Sequence, residues 1–73
     1  IEAKLTDNAG VLSNVMNEIY RAGANVLSIN QSAPMGGTAT VSIVVRIARM
    51  VIAAEELVSR VRAIPGVKTA ALS

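Results

Sequence analysis

The sequence contains no cysteine, no histidine and only one aromatic residue, Tyr20. Without cysteine there is no thiol nucleophile, disulfide or thiolate metal site, and without histidine the commonest general base is missing. A single aromatic residue cannot supply the row of rings on which RNA-binding sheets stack bases. These absences argue against thiol metallochaperones, aromatic RNA readers and the usual catalytic dyads.

Charge and long apolar runs are also scarce. Only 16% of the 73 residues are charged, the formal net charge is +2, and the basic residues are scattered and do not form a stripe that nucleic acid would require. No apolar run reaches the ~20 residues that span a bilayer. We therefore expect a soluble, cytoplasmic protein that binds neither nucleic acid nor membrane.

The length allows one domain, covering residues 1–73. The sequence begins at Ile1 in a segment that already alternates as a strand does. We expect that further residues lie upstream and that this domain is part of a longer chain.

Hydrophobic periodicity predicts six elements in the order βαββαβ. The strands are expected at residues 1–5, 25–31, 38–47 and 67–72, and the helices from residue 11 to the stop at Gly23 and over residues 52–64. The apolar helix stripes are Val11, Leu12, Val15, Met16 and Ile19, then Ala54, Leu57, Val58, Val61 and Ile64. In the second strand Leu27 and Ile29 alternate with Ser28 and Asn30, and in the third strand Val41, Ile43, Val45 and Ile47 share one face. The pattern predicts an α+β, ferredoxin-like sandwich: a four-stranded antiparallel sheet with both helices on one face.

One connection, at residues 5–12, has the properties of a binding loop. The first turn of a helix has N–H groups without intrahelical partners and suits a carboxylate, and Gly10 presents no side chain to obstruct it. Asp7 can accept hydrogen bonds from an ammonium group, and Asn25 can both donate and accept. From the residues alone a structural interpretation is favoured, in which Asp7 or Asn8 caps the helix and Asn25 serves the turn after Gly23.

No other polar residues suggest chemistry. Glu55 and Glu56 lie at a helix start, where solvent-exposed carboxylates favourably oppose the helix dipole and need no functional role. Ser13 and Ser59 have no candidate base nearby in sequence. We expect no catalytic residue, metal or cofactor in this domain, and whether it contributes to an enzyme stays open.

Three short stretches carry a family resemblance: LTDNAGVL at residues 5–12, AGANV at 22–26 and IPGV at 64–67. Together they resemble the ACT domain over essentially the whole chain. The run at residues 25–31, with Pro34 and Gly37 in the following turn, is similar to small ACT-domain proteins described as chorismate mutase or phenylalanine-biosynthesis accessory proteins.

The resemblance implies a regulatory domain that binds a free amino acid and controls an attached or partner enzyme of amino-acid metabolism, with aromatic amino-acid biosynthesis as the narrower expectation. The implied ligand residues are Asp7, Asn8, Ala9, Gly10, Val11, Leu12 and Asn25. Asp7 stands where relatives have Asn, which favours contact with an ammonium group over a carboxylate. The apolar residues Met50, Val51 and Ile52 also depart from the family pattern and form either a contact surface or a partly buried connection.

The implied assembly is a homodimer through the edge strand at residues 25–31 and the first helix, with ligand sites at the seam. Two alternatives stay open, namely a dimerisation module without a ligand and part of a chorismate mutase-like enzyme. No arginine-rich pocket can be assembled from residue spacing alone.

Overall fold

The computed structural model describes residues 1–6 and 9–72, with Ala9 described by its backbone only. The elements are β1 (Glu2–Thr6), α1 (Ala9–Arg21), β2 (Asn25–Gln31), β3 (Thr38–Arg46), α2 (Ala54–Arg62) and β4 (Val67–Ala71). The predicted order βαββαβ is confirmed. Most element ends lie within one or two residues of the expected positions, and α2 is shorter at both ends than the apolar periodicity suggested.

The four strands form one antiparallel sheet in the order β2-β3-β1-β4. Along β3, Ala39, Val41 and Ile43 are buried, whereas Thr40 is exposed. Alternation of this kind is expected when helices cover one face and solvent the other. The ferredoxin-like arrangement predicted from the sequence is therefore confirmed.

Among the described residues, the two helices supply six buried core residues. The buried residues of the helices are Val11, Val15, Ile19, Leu57, Val58 and Val61, each at most 7% exposed. Leu12, Met16 and Ile64 pack against this cluster at partial burial. Each fully buried aliphatic side chain contributes roughly 1.5–3 kcal/mol, so the predicted helix stripes account for much of the stability. No helix in the described part of the chain combines the length and apolarity needed to cross a membrane.

Gly23 ends α1 as the sequence predicted. It has φ +81°, its N–H donates to the Tyr20 carbonyl at 3.0 Å, and the Ala24 N–H donates to the Ile19 carbonyl at 3.2 Å. This pair of bonds is a Schellman motif, and Ala24 and Ile19 are both buried in the core. The motif sets the direction in which the chain enters β2.

The segment between β3 and α2 folds back onto that turn. The Val51 N–H donates to the Ala22 carbonyl at 3.0 Å, while Met50 and Ile52 pack against the core at partial burial. Val51, at 79% exposed, and Ile47, at 56%, present apolar surface to solvent. Partial burial is thus the correct interpretation for Met50 and Ile52.

Candidate effector site

The connection from β1 to α1 lies against the turn that follows α2. The Thr6 N–H donates to the Gly66 carbonyl at 2.8 Å. Gly66 has φ +94°, and a Cβ there would lie 2.5 Å from Val11 Cγ2 and 2.8 Å from Thr6 Oγ1. The IPGV stretch therefore needs glycine, because its turn packs closely against Thr6 and Val11 on either side of the predicted binding loop.

The predicted ligand residues in the first turn of α1 differ in their exposure to solvent. Gly10 is exposed, whereas Val11 is buried and Leu12 is half-buried against the core. The side chains of Val11 and Leu12 thus hold the helix start in place and have little surface for a ligand. Asp7 and Asn8, and the side chain of Ala9, lie outside the described residues.

Asn25 lies at the other end of the molecule. It is the exposed first residue of β2 and pairs with Arg46, whereas Thr6, next to the binding loop, pairs with Thr38. Eight residue steps of β3 separate these two pairings, which at ~3.3 Å per residue is about 26 Å. Within one chain, the structure does not bring Asn25 to the start of α1.

A surface notch of about 450 Å³ surrounds Asn25 and lies where the α1–β2 turn meets the segment after β3. Its lining residues are Gly23, Asn25, Arg46, Ala48 and Arg49. Gly23 has no room for a side chain, because a Cβ would lie 2.7 Å from the Arg49 carbonyl oxygen. The close approach of the two segments thus forms the wall of the notch.

The charged residues that line this notch are all positive. In the described part of the chain neither Arg46 nor Arg49 pairs with a carboxylate, and no acidic residue lines the notch. By contrast, Arg21 lies 3.9 Å from Glu18 and Arg60 lies 3.3 Å from Glu56. A notch lined by two arginines and an asparagine, and by no acidic residue, is suited to an anion.

Sequence reasoning missed Arg46 and Arg49 as site residues. In the sequence Arg46 only alternates with the apolar residues of the third strand, and Arg49 lies in the connection after it. Their proximity to Asn25 depends on the β2–β3 register and on the packing of that connection, neither of which residue spacing reveals.

The strand that begins at Asn25 is also an open edge of the sheet. β2 pairs with β3 on one side only, and Leu27 and Ile29 are 51% and 41% exposed. A β-bulge lies between Val26 and Ser28, with Leu27 as the extra residue. Ile29 pairs with the buried Ile43, so it extends the apolar face of the sheet outward to its edge.

The described residues offer little for catalysis or metal binding. They contain no group of three acidic, histidine or cysteine side chains close enough to hold a metal ion. Among them no polar or charged residue is buried. The arrangement provides hydrogen-bonding and charged groups that can bind a small molecule.

Comparison with known families places this fold. The family model of the ACT domain matches residues 1–71. The chain belongs to the ACT domain family. ACT domains generally serve as regulatory modules that bind amino-acid effectors, which fits a site of polar surface groups on a small sandwich.

Several curated relatives match the ACT domain of this chain. UPF0735 ACT domain-containing proteins of Caldicellulosiruptor saccharolyticus and Desulfitobacterium hafniense are 42% and 50% identical to it over 64 residues, which is 88% of this chain and 43% of each relative. A protein of the same description from Heliobacterium modesticaldum is 37% identical over 68 residues, covering 93% of this chain and 45% of the relative. The chain thus spans less than half the length of these relatives, whose names specify neither an enzyme nor an effector.

Proposed function

We propose that this ACT domain forms a two-fold dimer through β2 and binds one amino acid at each of two seams, between the start of α1 in one protomer and Asn25 in the other. Binding would regulate an attached or partner enzyme of amino-acid metabolism. Control of aromatic amino-acid biosynthesis, chorismate mutase included, is the narrower form of the same proposal.

The observation that carries the proposal is the separation of the two halves of the predicted site. Asn25 and the start of α1 lie at opposite ends of one sheet, about 26 Å apart along β3. When two β2 strands pair antiparallel about a two-fold axis, the first residue of one strand lies opposite the last residue of the other. Asn25 of each protomer then approaches the end of its partner at which α1 begins.

The edge strand is suited to such pairing. β2 has seven residues, alternate ones of which direct their backbone N–H and C=O away from β3, and it carries no Lys, Arg, Asp, Glu or Pro of the kind that blocks pairing between edges. The exposed Leu27 and Ile29 would be covered in the dimer. Burial of apolar side chains on both sides of the seam favours association.

The two halves offer complementary chemistry. The first turn of α1 carries no acidic residue, and the positive end of the helix dipole favours a carboxylate there. Asn25 presents both a donor and an acceptor at the opposite side of the seam. A ligand held by both protomers stabilises the dimer by a free energy that rises with the logarithm of ligand concentration above its Kd, and this is a means of transmitting that concentration to an enzyme.

A subunit-mixing experiment tests the shared site. Asn25→Ala and Gly10→Asp each disable one half of the ligand site. Gly10→Asp does so by placing a carboxylate where the ligand carboxylate is expected, and Gly10→Asn is the matched neutral control. Each variant dimer alone should bind no amino acid by calorimetry. A mixed dimer retains one intact seam, so random mixing at equal amounts should restore about a quarter of the wild-type sites.

The alternatives give different results. If one protomer holds the whole ligand, mixing the two variants restores no binding. If the domain is a dimerisation module without a ligand, no amino acid raises the melting temperature of the wild-type protein, and Asn25→Ala changes nothing beyond stability. A monomer in sedimentation analysis, with and without amino acids, would contradict the proposal altogether.

A further inference from the structure

We infer that the notch formed by Asn25, Arg46 and Arg49 is an anion site, and that the effector of this domain carries a second anionic group, either a side-chain carboxylate or a phosphoryl group. This inference rests on the proposed function, because it specifies the class of amino acid. It concerns two arginines that neither the family resemblance nor the sequence pattern assigned to a ligand.

The two guanidinium groups have no other evident task in the described part of the chain. Arg21 and Arg60 each pair with a glutamate on the same helix, and the Arg62 Nε donates to the Ala70 carbonyl at 2.8 Å. Arg46 and Arg49 both line one open notch, and no acidic residue is among its lining residues. Arginine forms paired hydrogen bonds to planar carboxylates and to phosphates, so two of them around one space select for anions.

The backbone holds the two arginines at this position. Arg46 is fixed by its pairing with Asn25 in the β2–β3 ladder, and the main chain of Arg49 is held against the glycine turn. The Val51 N–H, bonded to the Ala22 carbonyl, anchors the same connection two residues further on. Only the side chains need to be ordered when an anion binds, which lowers the entropic cost of forming the site.

The number of anion-binding positions then sets the class of ligand. In the two-fold dimer, a seam joins the start of α1 from one protomer to the notch of the other. A neutral amino acid has one carboxylate and can satisfy only one of these positions. Aspartate, glutamate or a phosphorylated amino acid has a group for each of them, and its ammonium group can still contact Asn25.

Calorimetry with matched ligands tests this inference. The probes are L-aspartate against L-asparagine, L-phosphoserine against L-serine, L-phenylalanine as a bulky neutral ligand, and inorganic phosphate alone. We expect aspartate or phosphoserine to bind about tenfold or more tightly than its neutral counterpart, with an affinity that falls as salt rises. In Arg46→Gln/Arg49→Gln this preference should shrink to about twofold or less.

A variant with the same change in net charge serves as the control. Lys4→Gln/Arg60→Gln also removes two positive charges, but Lys4 lies on the polar face of the sheet and Arg60 on α2, and neither lines the notch. It should keep the preference for the acidic ligands. Equal loss in both double variants would mean that general charge attraction, and not the notch, causes the selectivity, and would overturn the inference.

The remaining outcomes separate this inference from the proposed function. Tight binding of phenylalanine or another neutral amino acid, unaffected by Arg46→Gln/Arg49→Gln, would overturn the anion site and leave the amino-acid sensor intact. If inorganic phosphate is the only probe that binds, and its binding is lost in Arg46→Gln/Arg49→Gln, the result would support the anion site and contradict the amino-acid sensor. Absence of binding by every probe would contradict both.

Discussion

Gly66→Ala is the substitution whose cost the structure defines best. The residue has φ +94°, which costs a side-chain-bearing residue roughly 1–2 kcal/mol. A Cβ would also meet Val11 Cγ2 at 2.5 Å and Thr6 Oγ1 at 2.8 Å. Overpacking of this kind typically costs a further ~1–3 kcal/mol, so we expect a loss of about 2–5 kcal/mol in the free energy of unfolding.

This loss is large for a domain of 73 residues, since stability averages roughly 0.05–0.15 kcal/mol per residue. At about 4–8 °C for each kcal/mol, the melting temperature should fall by at least about 8 °C. Urea denaturation followed by circular dichroism measures the change in free energy directly, and a thermal scan measures the change in melting temperature.

Gly36→Ala is the matched control. Gly36 also has positive φ, at +59°, but no atom lies within 4 Å of a Cβ built there. Its substitution should cost only the backbone term of roughly 1–2 kcal/mol. If the two alanine variants lose the same free energy of unfolding, the close contact of Gly66 with the start of α1 does not affect stability, and the reasoning is refuted.

Three further perturbations test the core, the last strand and the edge. Ile19→Ala should cost about 2–5 kcal/mol of unfolding free energy, because Ile19 is fully buried. The neighbouring Tyr20→Ala should change this free energy little, since Tyr20 is 59% exposed. Similar losses for the two variants in denaturation would contradict the packing. Arg62→Met should cost about 1–2 kcal/mol by removing the hydrogen bond to the Ala70 carbonyl, and no change in the urea midpoint would mean that this bond contributes nothing. Ile29→Lys should leave the thermal stability of the monomer nearly unchanged while weakening the proposed dimer at least tenfold in sedimentation analysis, and an undisturbed dimer would move the interface elsewhere.

The order and nature of the elements could be predicted from the sequence because they depend on local patterns. The apolar stripe of α1 repeats every three to four residues and the alternation of β3 repeats every two, so each pattern indicates one conformation and one buried face. Gly23 could be recognised as the stop of α1 because the left-handed conformation there favours glycine. In β2, by contrast, the bulge between Val26 and Ser28 depends on pairing with β3 and leaves no clear signal in the sequence.

The candidate site was only partly predictable for the same reason. The residues at the α1 start and Asn25 could be selected because each belongs to a short, recognisable stretch. That Val11 is buried in the core depends on how α1 packs against the turn at Gly66. Two facts could not be known before the strand order was known: Asn25 is far from the loop before α1, and Arg46 lies beside Asn25.

The βαββαβ order, the buried faces of the two helices and the family follow from the sequence alone, because local periodicity and short motifs are properties of the chain read along its length. The tertiary structure alone decided which distant residues share a surface. It joined Asn25, Arg46 and Arg49 around one notch and placed the start of α1 at the opposite end of the sheet. The physical reason is that strand register and loop packing result from contacts between residues far apart in sequence, whose balance of burial, hydrogen bonding and chain entropy no single segment contains.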